Sequence, residues 1–206
     1  LVVGAIGVAP QLIFSLLVPR ILKKIDKTKL MMLCNIANVV LSIVIWLVGK
    51  QNIAIYIILS TIRAVPMGVY GVLMFMFTPD CAEYGKYTSG IEANGITFAI
   101  QTFMVKLTAA ISGALGMFLL GLKSTGWISV EVENFQELSS SGVTQSPHAL
   151  DVLWFIYVMV PAIGCALGLI VWKFYKLNDK DVQVMADCNA GKIAREDAEK
   201  LLSKKF

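Results

Sequence analysis

Five stretches of about twenty apolar residues, set between polar connections, constrain this chain more than anything else in it. They lie at roughly 1–19, 30–49, 53–77, 95–121 and 150–174, and at about 1.5 Å per helical residue each can cross a hydrocarbon core of about 30 Å. In hydrocarbon every backbone N–H and C=O must find a partner inside the chain, so runs of this length fold as helices. The predicted fold is all-α and polytopic: a transmembrane bundle over 1–174 with the lipid bilayer as partner, then a soluble-looking tail over 175–206. Composition agrees, with 57% hydrophobic residues, 16% charged and a mean hydropathy of +0.72, where a soluble domain is about half apolar and a quarter charged. The first run is not a signal peptide, since it lacks a basic lead-in and contains Pro10 and Gln11. The chain opens abruptly inside that run, so the expectation is a piece of a longer polytopic protein. Cys34, Cys81, Cys165 and Cys188 have neither paired nor metal-ligand spacing and read as free thiols.

Lysine and arginine in the connections set the orientation. The first connection holds Arg20, Lys23, Lys24, Lys27 and Lys29, the third holds Lys86, and eight lie after residue 172. The second holds only Lys50, and the fourth holds Lys123 against Glu131, Glu133 and Glu137. Connections one and three and the tail are therefore expected in the cytoplasm, in a cell-membrane protein. The net charge of +4 follows from topology and implies no nucleic acid. In the tail, IAREDAEKLL has opposite charges three to four apart and NAG reads as a helix stop, so the tail predicts a short helix pair that is merely solvated.

Two cations lie within the runs. GITFAIQTFMVKLTAAISGALGMFLLGL, residues 95–122, has Lys106 as its one charge, about 16 Å from the end of the span. At about 100° per residue, Ile100, Phe103, Met104, Leu107, Ile111 and Phe118 fall on a lipid-facing arc. Gln101, Thr102, Val105, Lys106, Ala109, Ser112, Gly113 and Gly116 fall opposite, where small and polar residues face a bundle or cavity. An ammonium at that depth needs a carboxylate or hydrated cavity, and it marks either a transport pathway or a structural ion pair. Arg63 is about 15 Å deep in the third run, on one face with Ser60, Met67, Tyr70 and Met74, and Pro66, Gly68 and Gly71 are expected to interrupt the helix just beyond it. Broken helices at the midplane are where secondary transporters build sites, which makes Arg63 and Tyr70 candidates for substrate contact.

Apart from Asp151 at the start of the last run, no acid lies inside any run, so the counter-charges of Lys106 and Arg63 are expected from elsewhere, in absent helices or another subunit. Asn35 and Asn38 read as interhelical hydrogen-bonders and His148 as solvated. No nucleotide-binding loop, nucleophile elbow, His/Cys cluster or metal-ligand set is present, so neither an enzyme nor a cofactor is expected. Three membrane functions remain open: a coupled carrier, a passive anion-selective pore with Lys106 and Arg63 in its ring, and a structural or receptor protein using Lys106 only for packing.

The stretch PDCAEYGKYTSGIEANGITFAIQTFMVKLTAAISGALG resembles the signature around the tenth and eleventh helices of the glycoside–pentoside–hexuronide:cation symporters, the melibiose-carrier family within the major facilitator superfamily. The matching positions are Asp80, Glu83, Tyr84, Gly85 and Gly90, then GI.F..QTF..K ending at Lys106. The resemblance implies helices eight to twelve of a twelve-helix sugar:cation symporter, a C-terminal fragment without its N-terminal helices. It implies a sugar or glycoside substrate near Gln101, Thr102, Val105 and Lys106. It also implies a coupling Na⁺ or H⁺ held by carboxylates of the absent half, with Lys106 close by, and a cytoplasmic gate at Asp80, Glu83 and Tyr84. Three positions depart from the family pattern: Glu92 replaces an arginine, Lys86 an acid, and Gly71 a tryptophan near the sugar. Arg63 has no family counterpart and suggests an anionic or larger glycoside.

Overall fold

Short polar side chains mark where the helices start. Asp26 accepts a hydrogen bond from the Thr28 N–H, Asn52 from Ala54, Ser146 from Ala149 and Asn178 from Asp181, each satisfying a donor that the first helical turn leaves orphaned. The structure, a computed structural model, describes residues 2–128, 142 and 144–204, with side chains from residue 8 onward. Glu131, Glu133 and Glu137 lie outside the described residues. The helices are α1 (Val2–Ile21), α2 (Lys27–Val48), α3 (Ile53–Ser89), α4 (Asn94–Gly121), α5 (Pro147–Phe174), α6 (Asp179–Asn189) and α7 (Arg195–Leu201), with no strand among the described residues. By length and composition α2, α3, α4 and α5 can each cross a membrane, and α1 adds an apolar segment over Val8–Ile21. The chain is a multi-pass, all-helical membrane protein.

Helix α3 is the spine. It packs against α1, α2 and α6, while α2 also packs on α5. Its 37 residues measure about 55 Å, far more than a bilayer core requires, so the helix outruns the third apolar run and carries 78–89 as a helical extension rather than a loop. Gly90, at φ 72°, ends it. The expected interruption is absent: α3 is continuous through both Pro66 and Pro79. Proline removes one i→i−4 bond, which a helix wedged between neighbours tolerates. Gly68 serves packing instead. A Cβ there would lie 2.4 Å from the Gln11 carbonyl oxygen, so glycine lets α1 and α3 touch backbone to backbone.

Val18, Met31 and Leu73, all fully buried, join Leu30, Cys34, Val69 and Phe77 in a core where α1, α2 and α3 meet. Phe77 stacks on Trp172 and Tyr175 with ring centroids 4.5 and 5.1 Å away. At the other end, Trp46 meets Phe155 and Tyr56 meets Trp154. Trp154 and Trp172 stand about 27 Å apart along α5, the spacing of two interfacial aromatic belts around one hydrocarbon core.

Asn35 and Asn38 are buried on α2, but they bond within their own helix, to the Met31 and Cys34 carbonyls, each at 3.0 Å. They are not the interhelical donors expected. Intrahelical carbonyls are always within reach of an Asn side chain, and Gly168 of α5 closes over Asn35.

Candidate functional site: a groove between α3 and α4

Helix α4 buries none of its residues. It lies along α3 with a groove between them of about 590 Å³, lined from α3 by Tyr70, Met74 and Cys81 and from α4 by Gln101, Val105 and Thr108, among others. That volume suits a small-molecule ligand, and the lining has the usual composition, mostly apolar with a few polar groups. The Gln101 amide makes no hydrogen bond among the described residues, so its donors and acceptor are free for a ligand. Tyr70 offers a ring face and a hydroxyl, the pairing that recognises a polyol with one apolar side.

Of the residues expected to contact substrate, Tyr70, Gln101 and Val105 line this groove, and Thr102, Lys106 and Arg63 do not. Ile100 and Met104, assigned to lipid, line it instead, because the position of α3 and not the smallness of a residue decides which arc of α4 faces inward. Thr102 is exposed and bonds the Phe98 carbonyl at 2.9 Å. Lys106 is exposed beside the groove and has no hydrogen bond or ion pair among the described residues. Arg63 reaches toward α2, where its guanidinium donates to the Ser42 hydroxyl at 3.2 Å. Thr108 and Cys81 line the groove without having been anticipated; their α-helical spacing from Val105 and Tyr70 was the signal.

At one end of α3 a charged junction forms. Lys27 lies 2.6 Å from Asp80 and 3.3 Å from Asp179, with the Lys27 and Asp80 side chains only 13% and 9% exposed. Glu83 accepts a hydrogen bond from Asn189 at 2.8 Å. Tyr84 packs on a cluster built from Tyr87, Leu177, Val182, Met185 and Ala198. The tail is therefore docked on α3 and not merely solvated, since α6 packs on α3's extension and α7 packs on α6, closing one apolar cluster. Lys86 and Glu92 bond each other at 2.8 Å. Each side chain shifts the other: the ammonium holds the Glu92 carboxyl below its ordinary value.

The described residues thus form helices able to cross a membrane with a ligand-sized groove between two of them. The chain matches the family described as "MFS/sugar transport protein" over residues 1–179, and it belongs to that family, whose members are transporters rather than enzymes. It is 25% identical to the glucuronide carrier protein homolog of Escherichia coli over 86% of this chain and 35% of that protein. It is 25% identical to an uncharacterised symporter of Bacillus subtilis over 88% and 36%. It is 24% identical to the isoprimeverose transporter of Lactiplantibacillus pentosus over 91% and 36%. The chain thus spans little more than a third of the length of each. No solved structure matches it.

Proposed function

We propose that the chain is the C-terminal half of a carrier that moves a sugar or glycoside together with Na⁺ or H⁺ by alternating access. The observation that carries this reading is the groove: in a member of a sugar-transport family, Tyr70 and an unengaged Gln101 line one space of about 590 Å³. Relatives named for a glucuronide and for isoprimeverose support a glycoside as substrate. Absent N-terminal helices cover the exposed faces of α4 and supply the carboxylates that bind the cation. Lys106, without a partner among the described residues, lies against those carboxylates and couples the two ligands. The basic connection before α2, the α3 extension and the tail face the cytoplasm.

Coupling has a thermodynamic signature, because two ligands that favour the same conformations must tighten each other by the same factor. Titrating a panel of glycosides into the full-length carrier, with and without Na⁺ and at two pH values, tests it. A glycoside whose affinity rises with one cation, and which raises that cation's affinity equally, supports symport. Equal affinity under all conditions contradicts it. Gln101→Ala weakens glycoside binding about tenfold, the loss of a hydrogen bond to a buried polar ligand.

A further inference from the structure

Two helix N-termini meet at the junction below the bundle. Lys27, the first residue of α2, donates its backbone N–H to the Asp179 carboxylate at 3.0 Å, and Asp179, the first residue of α6, donates its own N–H to Asp26 at 3.0 Å. Asp26 is also the N-cap of α2. Segments 152 positions apart thus cap each other, each carboxylate lying at the positive end of the other's helix dipole. The Lys27 ammonium pairs with two of the three acids gathered here, Asp80 and Asp179, while Asp26 accepts backbone N–H bonds. At the far end of α6, Asn189 donates to both the carboxylate and the carbonyl of Glu83, at 2.8 and 2.9 Å. The Arg195 guanidinium lies 5.0 Å over the Tyr87 ring, and Met185 and Ala198 are fully buried.

The two acids that the family resemblance places at the cytoplasmic gate are therefore engaged within this chain, Asp80 through Lys27 and Glu83 through Asn189. A carboxylate held this way is unavailable to a cation on another half of the carrier. We infer that the tail is a strap: docked, α6 keeps Glu83 on its own half through Asn189; released, it frees Glu83 to pair across the carrier and favours closure on the tail side. This rests on the two-half carrier proposed above. The hold can open, because the contacts at the two ends of α6 are polar and the Asp179 side chain is 35% exposed. A segment that binds one conformation better than the other shifts their populations by that difference.

Two native cysteines report on the two halves of the claim. Cys188 is half-buried against the tail cluster, and Cys81, exposed, lines the groove next to Asp80. The full-length carrier in nanodiscs would keep one of these as its sole cysteine, with and without Asp179→Asn plus Asn189→Ala, and be labelled by a water-soluble maleimide. The strap predicts that the substitutions speed Cys188 labelling about tenfold, through lost caps, and slow Cys81 labelling about threefold, as closure shields the groove. Glu83→Gln added to the released carrier should restore the Cys81 rate. Faster labelling at both sites would make the tail a mere fold clamp and overturn the proposal, as would an unchanged rate at either. Labelling needs no substrate, so a carrier that shows the opposed shifts yet binds no glycoside keeps the strap and loses the sugar reading.

Discussion

Lys27 ties three parts of this chain together. It bridges α2, α3 and the tail through one ammonium and one backbone N–H. Removing one member of a buried ion pair leaves an uncompensated charge, whereas replacing both with apolar groups is close to neutral. Lys27→Met should therefore destabilise the full-length carrier by about 3 kcal/mol, and Lys27→Met with Asp80→Leu should recover most of that loss. Thermal unfolding of purified protein checks both, and a double variant no better than the single would contradict the pairing. Arg63 presents a different case: it has a hydroxyl partner in Ser42 and no carboxylate among the described residues. If its remaining donors meet an anionic glycoside, Arg63→Ala lowers uptake of that glycoside about tenfold and leaves a neutral one unchanged. An equal loss for both would make Arg63 a packing residue.

At the scale of elements, α1 and α3 depend on a single missing methyl group. Gly68→Ala drives a Cβ into the Gln11 carbonyl and should cost about 1–3 kcal/mol, as overpacking does. Gly71→Ala meets nothing within 4 Å and should leave the melting temperature unchanged or raised, since alanine is the better helix former. Equal effects of the two would refute the close crossing. The apolar runs made the membrane helices legible, because crossing hydrocarbon requires length and hydropathy together. The end of α3 was hidden for the same reason: 78–89 carries Asp80, Glu83 and Lys86, which leave the membrane without leaving the helix. Hydropathy reports the solvent, not the backbone. Tyr70, Gln101 and Val105 could be picked out from one signature and one helical face, and the structure brings them to one groove. The junction could not be read, because its partners are far apart in sequence and each of its acids looks like an ordinary surface residue.

For the whole molecule, the aromatic belts and the apolar helices set the chain in a bilayer, and residues 1–179 match the MFS/sugar transport family. The proposed N-terminal half would cover α4, which fits a groove open along one side and a Lys106 with no partner among the described residues. Coupling is the central claim. The most direct measurement is uptake of labelled glycosides by the full-length carrier in liposomes, with and without a Na⁺ or proton gradient, for wild type beside Lys106→Cys inserted in equal amount. Symport predicts accumulation above the external concentration only with a gradient, and its loss in Lys106→Cys. A downhill leak indifferent to both gradients, unchanged by the substitution, would contradict it and leave a passive pore.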